Sequence, residues 1–227
     1  QIYRFFKKKE QQFLQNADYV ISLTRSGADE LGTWPALKGQ MVPVKVIPCC
    51  VDLQVFESQK GSSQKVHSLK QGDEFLLMYL GSIGTWYMLA EMLDFFKALL
   101  TRKPHARFAF ITRDDPQMIL EVAREKDIAE ENITVFPAAR REVPHYLAQA
   151  NASIFFITPV FSKKASSPTK LGEVLAMGIP LVLNAGVGDN DHIIRHGENG
   201  IVVNDLNEAG YFKAIDELEQ GRLANPL

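Results

Sequence analysis

Short apolar runs and amphipathic stretches alternate along most of the chain. The apolar runs that predict strands are residues 75–80, 107–112, 133–136, 152–157, 180–184 and 201–203. The amphipathic stretches that predict helices are residues 86–100, 116–126, 143–149, 169–177, 192–195 and 206–219. Near-continuous apolar strands are typical of a parallel sheet that helices cover on both faces. We therefore predict an α/β fold with a doubly wound, Rossmann-like parallel sheet over residues 73–227.

The first part of the chain has its own pattern, in residues 1–57. It predicts a helix over residues 1–16, a short buried strand over 19–23, a capped helix over 24–31 and a strand over 44–48. This is one βαβ unit, and we interpret it as the remnant of a second domain and a hinge. Residues 58–72 are rich in Ser, Gln, Gly and Lys, which predicts a linker at a domain boundary.

Composition narrows the class of protein. The 227 residues are 46% hydrophobic and 23% charged, as in ordinary globular proteins, and no apolar run approaches the roughly twenty residues that a transmembrane helix needs. A formal net charge of -2 argues against nucleic acid as a partner. The basic run at residues 7–9 could meet anionic lipid in a peripheral membrane contact, although a solvated helix face explains it as well.

Cysteine usage and the first residues bear on the setting of the protein. Cys49 and Cys50 are adjacent, so they cannot build a disulfide framework, and we predict a reducing, cytoplasmic location. The chain begins at Gln1, within a helical pattern and without a signal-like segment. We therefore expect it to be a piece of a longer protein.

Ligands of doubly wound sheets bind at the carboxyl ends of the strands, so the loops there are the first places to search. The first loop contains Gly81, Ser82, Gly84 and Thr85, and its backbone amides could cradle a phosphate. A tight turn that needs glycine explains the same residues equally well. The loop lacks the third glycine of a dinucleotide fingerprint, and the second strand leads to Arg113 with no acidic ribose ligand beside it.

The stronger signal surrounds the helix predicted at residues 169–177. Ser166, Ser167 and Thr169 are N-cap candidates, and Lys170 and Glu173 lie three positions apart on one face of the first turns. A carboxylate there can accept hydrogen bonds from a ribose diol, while an ammonium group and free helical amides can neutralise a diphosphate. The alternative is a surface Lys-Glu pair without a ligand.

Several motifs together resemble a known family. They are residues 170–182, 186–188 and 196–203, with residues 17–21, residues 46–52 and Phe56 upstream. In this order they resemble the C-terminal, donor-binding part of retaining GT-B glycosyltransferases of family 4, in glycosyl transferase group 1. The resemblance implies transfer of a sugar from a UDP- or GDP-linked donor to a glycan or lipid-linked acceptor, with no metal and no other cofactor. The acceptor would bind through an N-terminal domain absent from this chain.

The resemblance also implies roles for individual residues. Glu173 matches the second glutamate of the E-x7-E motif, which binds the donor ribose, and Leu171 is expected to line the same site. Ala165 stands eight positions earlier, where the family has its first glutamate beside the donor sugar. The family holds the base with backbone groups where this chain has Phe136 and Ala138.

The diphosphate is the second point where this chain departs from the family. The paired Arg and Lys of the family's first loop are absent between Gly81 and Tyr87, where Ser82 and Thr85 are neutral. We predict that Lys170, with the helix amides near Ser167 and Thr169, stabilises the charge that develops on the leaving nucleoside diphosphate. Arg113 and Lys164 are weaker candidates.

Alternatives remain open at this point. A nucleotide-sugar epimerase of the same architecture would bind a similar donor, and Ala165 also fits a non-catalytic nucleotide-sugar-binding module. Two histidines, His192 and His196, lie four apart beside carboxylates in residues 189–196 and could indicate a metal site, but no further ligand cluster accompanies them. Because the acceptor half is missing, we expect the isolated chain to be inactive.

Overall fold

The computed structural model describes residues 1–38, 43–56 and 66–220, and these contain a six-stranded parallel sheet and a smaller two-stranded one. The strands of the large sheet are β3 (Leu76–Leu80), β4 (Arg107–Ile111), β5 (Ile133–Phe136), β6 (Ala152–Phe155), β7 (Leu181–Asn184) and β8 (Gly200–Val203). Their spatial order is β5-β4-β3-β6-β7-β8, and each neighbouring pair is parallel.

Helices follow the strands of the large sheet. They are α4 (Leu89–Arg102), α5 (Pro116–Glu125), α6 (Val143–Leu147), α7 (Thr169–Ala176), α8 (Asn190–Ile193) and α9 (Glu208–Glu219). Large apolar side chains of the central strands and of α4, such as Met78, Phe108 and Phe95, are fully buried. Helices α4 and α9 pack together, and ion pairs Arg102–Asp216 and Lys103–Glu219 join them at the surface. The predicted doubly wound, Rossmann-like fold is therefore confirmed.

The strand order determines where a ligand crevice can form. The chain runs outward from β3 to β4 and β5, then returns to the other side of β3 and continues through β6, β7 and β8. At this reversal the loops after β3 and β6 leave the sheet in opposite directions, which opens a crevice at their carboxyl ends.

The N-terminal unit is smaller and more exposed. It consists of α1 (Ile2–Gln15), β1 (Val20–Ser22), α2 (Arg25–Thr33) and β2 (Val44–Val46), with β1 and β2 parallel. The predicted βαβ order is present, and Thr24 caps α2 by accepting the Gly27 amide. The prediction of a buried strand at residues 19–23 is wrong, because Ile21 is 64% exposed in a sheet of only two strands.

The predicted linker at residues 58–72 lies partly outside the described residues, which resume at residue 66. In the described part, Leu69 is buried, and its amide donates to the side-chain oxygen of Gln149 at 2.8 Å. The end of the predicted linker therefore packs against the large domain. Residues 221–227 of the predicted large domain also lie outside the described part.

Several element boundaries differ from the sequence predictions for identifiable reasons. Helix α4 begins at Leu89 because Trp86 and Tyr87 pair with the segment that follows β6. Helix α8 ends at Ile193 because the chain then turns, and the Arg195 amide donates to the side chain of Asn199. Helix α3 (Leu53–Phe56) and short 3-10 turns at Pro35–Leu37, Glu130–Asn132 and Phe161–Ala165 were not predicted.

Candidate functional site

Lys170 lies at the reversal point of the sheet, in the first turn of α7. Its side chain is almost completely buried, and its ammonium nitrogen donates to the hydroxyl of Tyr79 at 3.0 Å. The Nζ atom also lies 3.7 Å from the ring centre of Tyr87 and 5.7 Å from that of Phe155. Tyr79 belongs to β3 and Phe155 to β6, so the lysine sits where the two halves of the sheet diverge.

Burial has a direct electrostatic consequence for this lysine. Loss of hydration lowers the pKa of Lys170 to about 7, and the nearby carboxylates of Glu173 and Asp114 offset only part of that effect. Burial also raises the pKa of the Tyr79 and Tyr87 hydroxyls, so both phenols stay protonated at neutral pH. The site thus holds a lysine that is close to losing its charge.

Glu173 lies one turn further along α7 and is also buried. Its Oε1 atom accepts a hydrogen bond at 3.0 Å from Arg140, in the loop after β5. The Arg140 guanidinium also lies 5.2 Å from the ring centre of Phe56, at the end of α3. Since Glu173 pairs with Arg140 and Lys170 bonds to Tyr79, the two α7 side chains do not form a simple surface Lys-Glu pair.

The first loop has an acidic partner, Asp114, which the sequence pattern did not indicate. The Asp114 carboxylate, in the loop after β4, accepts the Ser82 hydroxyl at 3.1 Å and also the Ile83 amide. Gly81 has a positive φ of 103°, and a methyl group there would lie 3.2 Å from Nζ of Lys170. The loop therefore approaches the lysine closely, while its Ile83 amide is already engaged by a carboxylate.

The charge state of Asp114 follows from these contacts. Partial burial alone would raise the pKa of Asp114, but hydrogen bonds from the Ile83 amide, Thr112 and Ser82 and the nearby Lys170 charge hold it below its usual value. Asp114 is thus ionised at neutral pH. The first loop, which we expected to bind a phosphate, therefore has a negative charge beside it at neutral pH.

The remaining predicted residues of the first loop are more exposed. Gly84 has a positive φ of 45°, and it is exposed together with Ser82 and Thr85. The loop does not run directly into α4, which begins at Leu89. Its amides are therefore not part of a helix N-terminus.

The start of α7 differs from the predicted cap. The N-cap residue is Pro168, with no capping side chain, and Thr169 is the first helical residue. The Ser167 hydroxyl instead accepts the Cys49 amide at 3.1 Å, because the segment after β2 passes beside this turn. The predicted Ser and Thr caps are therefore wrong, and no side chain in the described part of the chain caps the first amides of α7.

The predicted base-binding residues lie at the end of β5. Phe136 is half-buried, and its ring packs against Tyr146 and His67 with centre distances of 4.8 and 5.4 Å. The hydroxyl of Tyr146 is 2.9 Å from Nδ1 of His67. Ala138 is half-buried two residues later. Both residues lie at or just after the carboxyl end of β5, and packing against Tyr146 and His67 accounts for the position of the Phe136 ring without a ligand.

The weaker candidates lie elsewhere. Arg113 is exposed at the end of β4, and Lys164 forms an ion pair with Glu30 of α2 at 2.8 Å. Leu171 is buried beside Lys170 in α7. Ala165 is exposed, and it lies within 3.2 Å of the position that a methyl group on Gly27 would occupy. The segment around Ala165 is therefore packed against α2.

Three residues of the site could not have been assigned from motif spacing. Tyr79 has the pattern of an ordinary apolar strand residue, and Arg140 and Asp114 lie in loops without a motif. The position of Asp114 just after a predicted strand was the only available signal. Their contacts with α7 and the first loop arise from the sheet order, which local sequence does not specify.

The sequence suggested a metal site at His192 and His196. The Nε2 atom of His196 lies 2.6 Å from the Glu217 carboxylate of α9, and its Nδ1 accepts the Val202 amide. Within the described ranges, no group of three or more His, Cys, Asp or Glu side chains is arranged to hold a metal ion. In the same ranges, no helix is long and apolar enough to cross a membrane.

Several solved structures share the fold of this chain. Sucrose-phosphate synthase from Thermosynechococcus elongatus has a TM-score of 0.69 at 18% identity, over 96% of this chain and 53% of that one. TarM from S. aureus, in a complex that contains UDP, has a TM-score of 0.66 at 12% identity over 95% and 40%. HepE from Anabaena, in complex with UDP-glucose, has a TM-score of 0.66 at 14% identity over 94% and 58%. The chain thus spans about half the length of these structures, and it shares their GT-B, Rossmann-like fold.

The sequence comparisons address the family directly. No curated protein matches the chain in sequence. The family described as "Glycosyl transferases group 1" matches residues 74–220, which is more than half of the chain. The chain therefore belongs to the glycosyl transferases group 1.

Proposed function

We propose that the chain is the donor-binding part of a retaining glycosyltransferase that moves a hexose-like sugar from a nucleotide diphosphate sugar to a glycan or lipid-linked acceptor. The proposal rests on one observation above all. Lys170 and Glu173 are buried side by side at the start of α7, at the reversal point of the sheet. Family membership leaves the epimerase alternative without support.

Each part of the donor has a chemically suitable partner in this arrangement. The Glu173 carboxylate has a second oxygen for a ribose diol besides the one that accepts Arg140. The uncapped amides at the start of α7 and the Lys170 ammonium suit a diphosphate. Backbone groups near Phe136 and Ala138 suit the base, and HepE and TarM, which share the fold, are described with UDP or UDP-glucose bound.

Cleavage of the bond between the sugar and the diphosphate requires stabilisation of negative charge more than it requires proton transfer. Breaking the bond between the sugar and the diphosphate leaves negative charge on the nucleoside diphosphate. Preorganised amides and a cation in a dry crevice stabilise that charge without a metal. We assign this role to Lys170 and the first turn of α7. Because Ala165 has no carboxylate, backbone groups of residues 166–169 would position the sugar.

The test is calorimetric titration of the chain with UDP and GDP. We expect one of the two to bind with a stoichiometry of one, and Glu173→Gln to weaken that binding by roughly 10- to 100-fold, the usual effect of a lost charge-assisted hydrogen bond. Glu217→Gln is the matched control, since Glu217 is a partly buried glutamate on α9 that lies beside His196, away from the crevice. If neither nucleotide binds, or if both variants weaken binding equally, the donor-site assignment is wrong.

The non-catalytic alternative has an observation of its own. Ala165 replaces the family's first glutamate, and Asp114 places a carboxylate in the first loop. Transfer of a radiolabelled sugar by a protein that contains both halves would separate the two functions. We expect turnover with both halves and none with this chain alone. Binding without turnover in the two-domain protein would favour the non-catalytic module.

A further inference from the structure

The Lys170 ammonium is enclosed by aromatic rings and has few polar partners. Among the described residues, its one hydrogen-bond acceptor is the Tyr79 hydroxyl at 3.0 Å. That hydroxyl uses its own proton to donate to the Ser82 carbonyl at 2.6 Å, so it faces Lys170 with a lone pair. The rings of Tyr79 and Tyr87 lie 4.2 and 3.7 Å from Nζ. An ammonium group has three protons to donate, so this environment leaves the charged form incompletely solvated.

Each element that packs around Lys170 places a different side chain beside its ammonium group. β3 offers Tyr79, the segment before α4 offers Tyr87, and β6 offers only the ring of Phe155. The loop after β4 offers the Asp114 carboxylate, which already accepts from Ser82 and Ile83. α7 itself offers Glu173, whose Oε1 is paired with Arg140. Both carboxylates act on Lys170 through space, with their closest hydrogen bonds made to other groups.

We propose that Tyr79 is a positioning residue for Lys170, and that Lys170 takes up a proton when the diphosphate of the donor binds. The proposal rests on the donor site described above and deepens it. Before the donor binds, Lys170 has one neutral hydrogen-bond acceptor among the described residues and is surrounded by aromatic rings. After the donor binds, the phosphate oxygens accept hydrogen bonds from the Lys170 ammonium group and supply a negative charge beside it. Both effects favour the protonated form of the lysine.

The pH dependence follows from linkage. The pKa of Lys170 is about 7 in the free chain and is raised by the bound diphosphate. Well below pH 7 both states carry the proton, and the affinity is independent of pH. Above pH 7 Lys170 of the free chain has lost its proton, so donor binding must include proton uptake. The affinity for the donor therefore falls by about tenfold for each pH unit until the pKa of Lys170 in the bound state is reached.

Calorimetry with UDP-glucose and GDP-mannose measures this uptake. Both are diphosphate diesters, so the ligand itself has no phosphate ionisation near neutral pH. Titrations at pH 6 to 8.5 in buffers of different ionisation enthalpy give the protons taken up for each ligand bound. We expect close to zero near pH 6, about one half at pH 7 and nearly one above pH 8. Lys170→Arg, which remains charged throughout, should show no uptake.

Tyr79→Phe tests the positioning role and keeps the ring. Without the hydroxyl, charged Lys170 loses its acceptor, so the midpoint of uptake should move to lower pH and affinity at pH 7 should fall by roughly three- to tenfold. The matched control is Tyr211→Phe, a buried tyrosine on α9 that packs on Phe95 and Phe156. An unchanged midpoint in Tyr79→Phe would overturn the assignment of Tyr79.

Carbon-13 NMR of labelled lysine gives a readout that needs no donor. In the free chain one lysine should titrate near neutral pH, its signal should be absent from Lys170→Arg, and Lys126→Arg should leave it in place. Lys126 is a partly buried lysine paired with Asp94, which makes it a fair comparison. If a donor binds without proton uptake and no lysine titrates near pH 7, this proposal is wrong and the donor site stands. If neither sugar nucleotide binds, the donor site itself is wrong, and this proposal falls with it.

Discussion

At the scale of single residues, the crevice is organised by the partners of three charged side chains. Lys170 bonds to a neutral phenol, Glu173 pairs with Arg140, and Asp114 is held by the first loop. Each charge keeps a different partner, so the three do not neutralise one another in a closed network. Such an arrangement is typical of a site that awaits a charged ligand.

Asp114→Asn should loosen the first loop. The substitution removes the charge that accepts the Ile83 amide and the Ser82 hydroxyl, so we expect a loss of about 1–2 kcal/mol of unfolding free energy at pH 7. The pKa of Asp114 is lower in the folded chain than in the unfolded one. Its contribution is therefore complete above about pH 5 and disappears as the pH falls below about 4.

Urea denaturation of both proteins from pH 3 to 8 checks this expectation. The stability difference between wild type and Asp114→Asn should be constant near neutral pH and shrink in acid. Asp18→Asn, at an exposed aspartate of the N-terminal unit, serves as the control and should show little difference. A difference for Asp114→Asn that grew in acid would contradict the assigned charge state.

Two glycines should respond in opposite directions to the same substitution. A methyl group on Gly188 would lie 2.0 Å from the carbonyl oxygen of Ser166, and its φ is 51°. Gly188→Ala should therefore cost about 2–4 kcal/mol. Gly32 lies in α2 with open space around it, so Gly32→Ala should stabilise the chain by about 0.5–1 kcal/mol. Urea denaturation of both variants compares them; equal effects would contradict the local geometry.

At the scale of elements, the N-terminus of α2 is held by the large domain. The Asp189 carboxylate accepts the Arg25 amide at 2.6 Å and the Ser26 amide at 3.0 Å. The Thr24 hydroxyl donates to the Lys164 carbonyl at 2.6 Å. These bonds tie the small unit to the segment that would position the donor sugar.

Asp189→Ala should release this end of α2. The loss of a carboxylate that accepts the first helical amides costs about 0.5–2 kcal/mol in other helices, and we expect the same here. Amide hydrogen exchange at Arg25 and Ser26 should accelerate, since both amides lose their acceptor. Asp29→Ala, at an exposed position of the same helix, should leave those amides protected. Unchanged exchange in Asp189→Ala would show that α2 is held by other contacts.

At the scale of the whole molecule, donor binding should stabilise the fold. A nucleotide at about 100 times its Kd adds about 2.7 kcal/mol, which raises the Tm of a chain of this size by roughly 5–10 °C. Differential scanning fluorimetry with UDP and GDP measures the shift. At the same ligand concentration it should fall to about half or less for Glu173→Gln and persist in full for Glu217→Gln. A shift of equal size in Glu173→Gln would place the ligand outside the crevice.

Much of the fold was predictable because the spacing of apolar residues along the chain indicates which faces of each strand and helix are buried. The apolar runs at β3 and β6 identify strands covered on both faces, and the amphipathic pattern of α4 identifies its buried side. Exposure in the N-terminal unit was not predictable in this way. The pattern predicted the helix α1 itself, yet among the described residues none of its apolar side chains is buried. A pattern indicates which side chains favour burial, but it does not provide the surface that covers them.

The sequence by itself determined the alternation of strands and helices, the motifs of the family, and the placement of Lys170 and Glu173 on one helical face. Only the tertiary structure decided their partners. Tyr79 is 91 positions from Lys170, and Arg140 is 33 positions from Glu173. The physical reason is that helical spacing is a local property of the backbone. Contacts across the crevice depend on which strands become neighbours, and packing of the whole sheet selects that order.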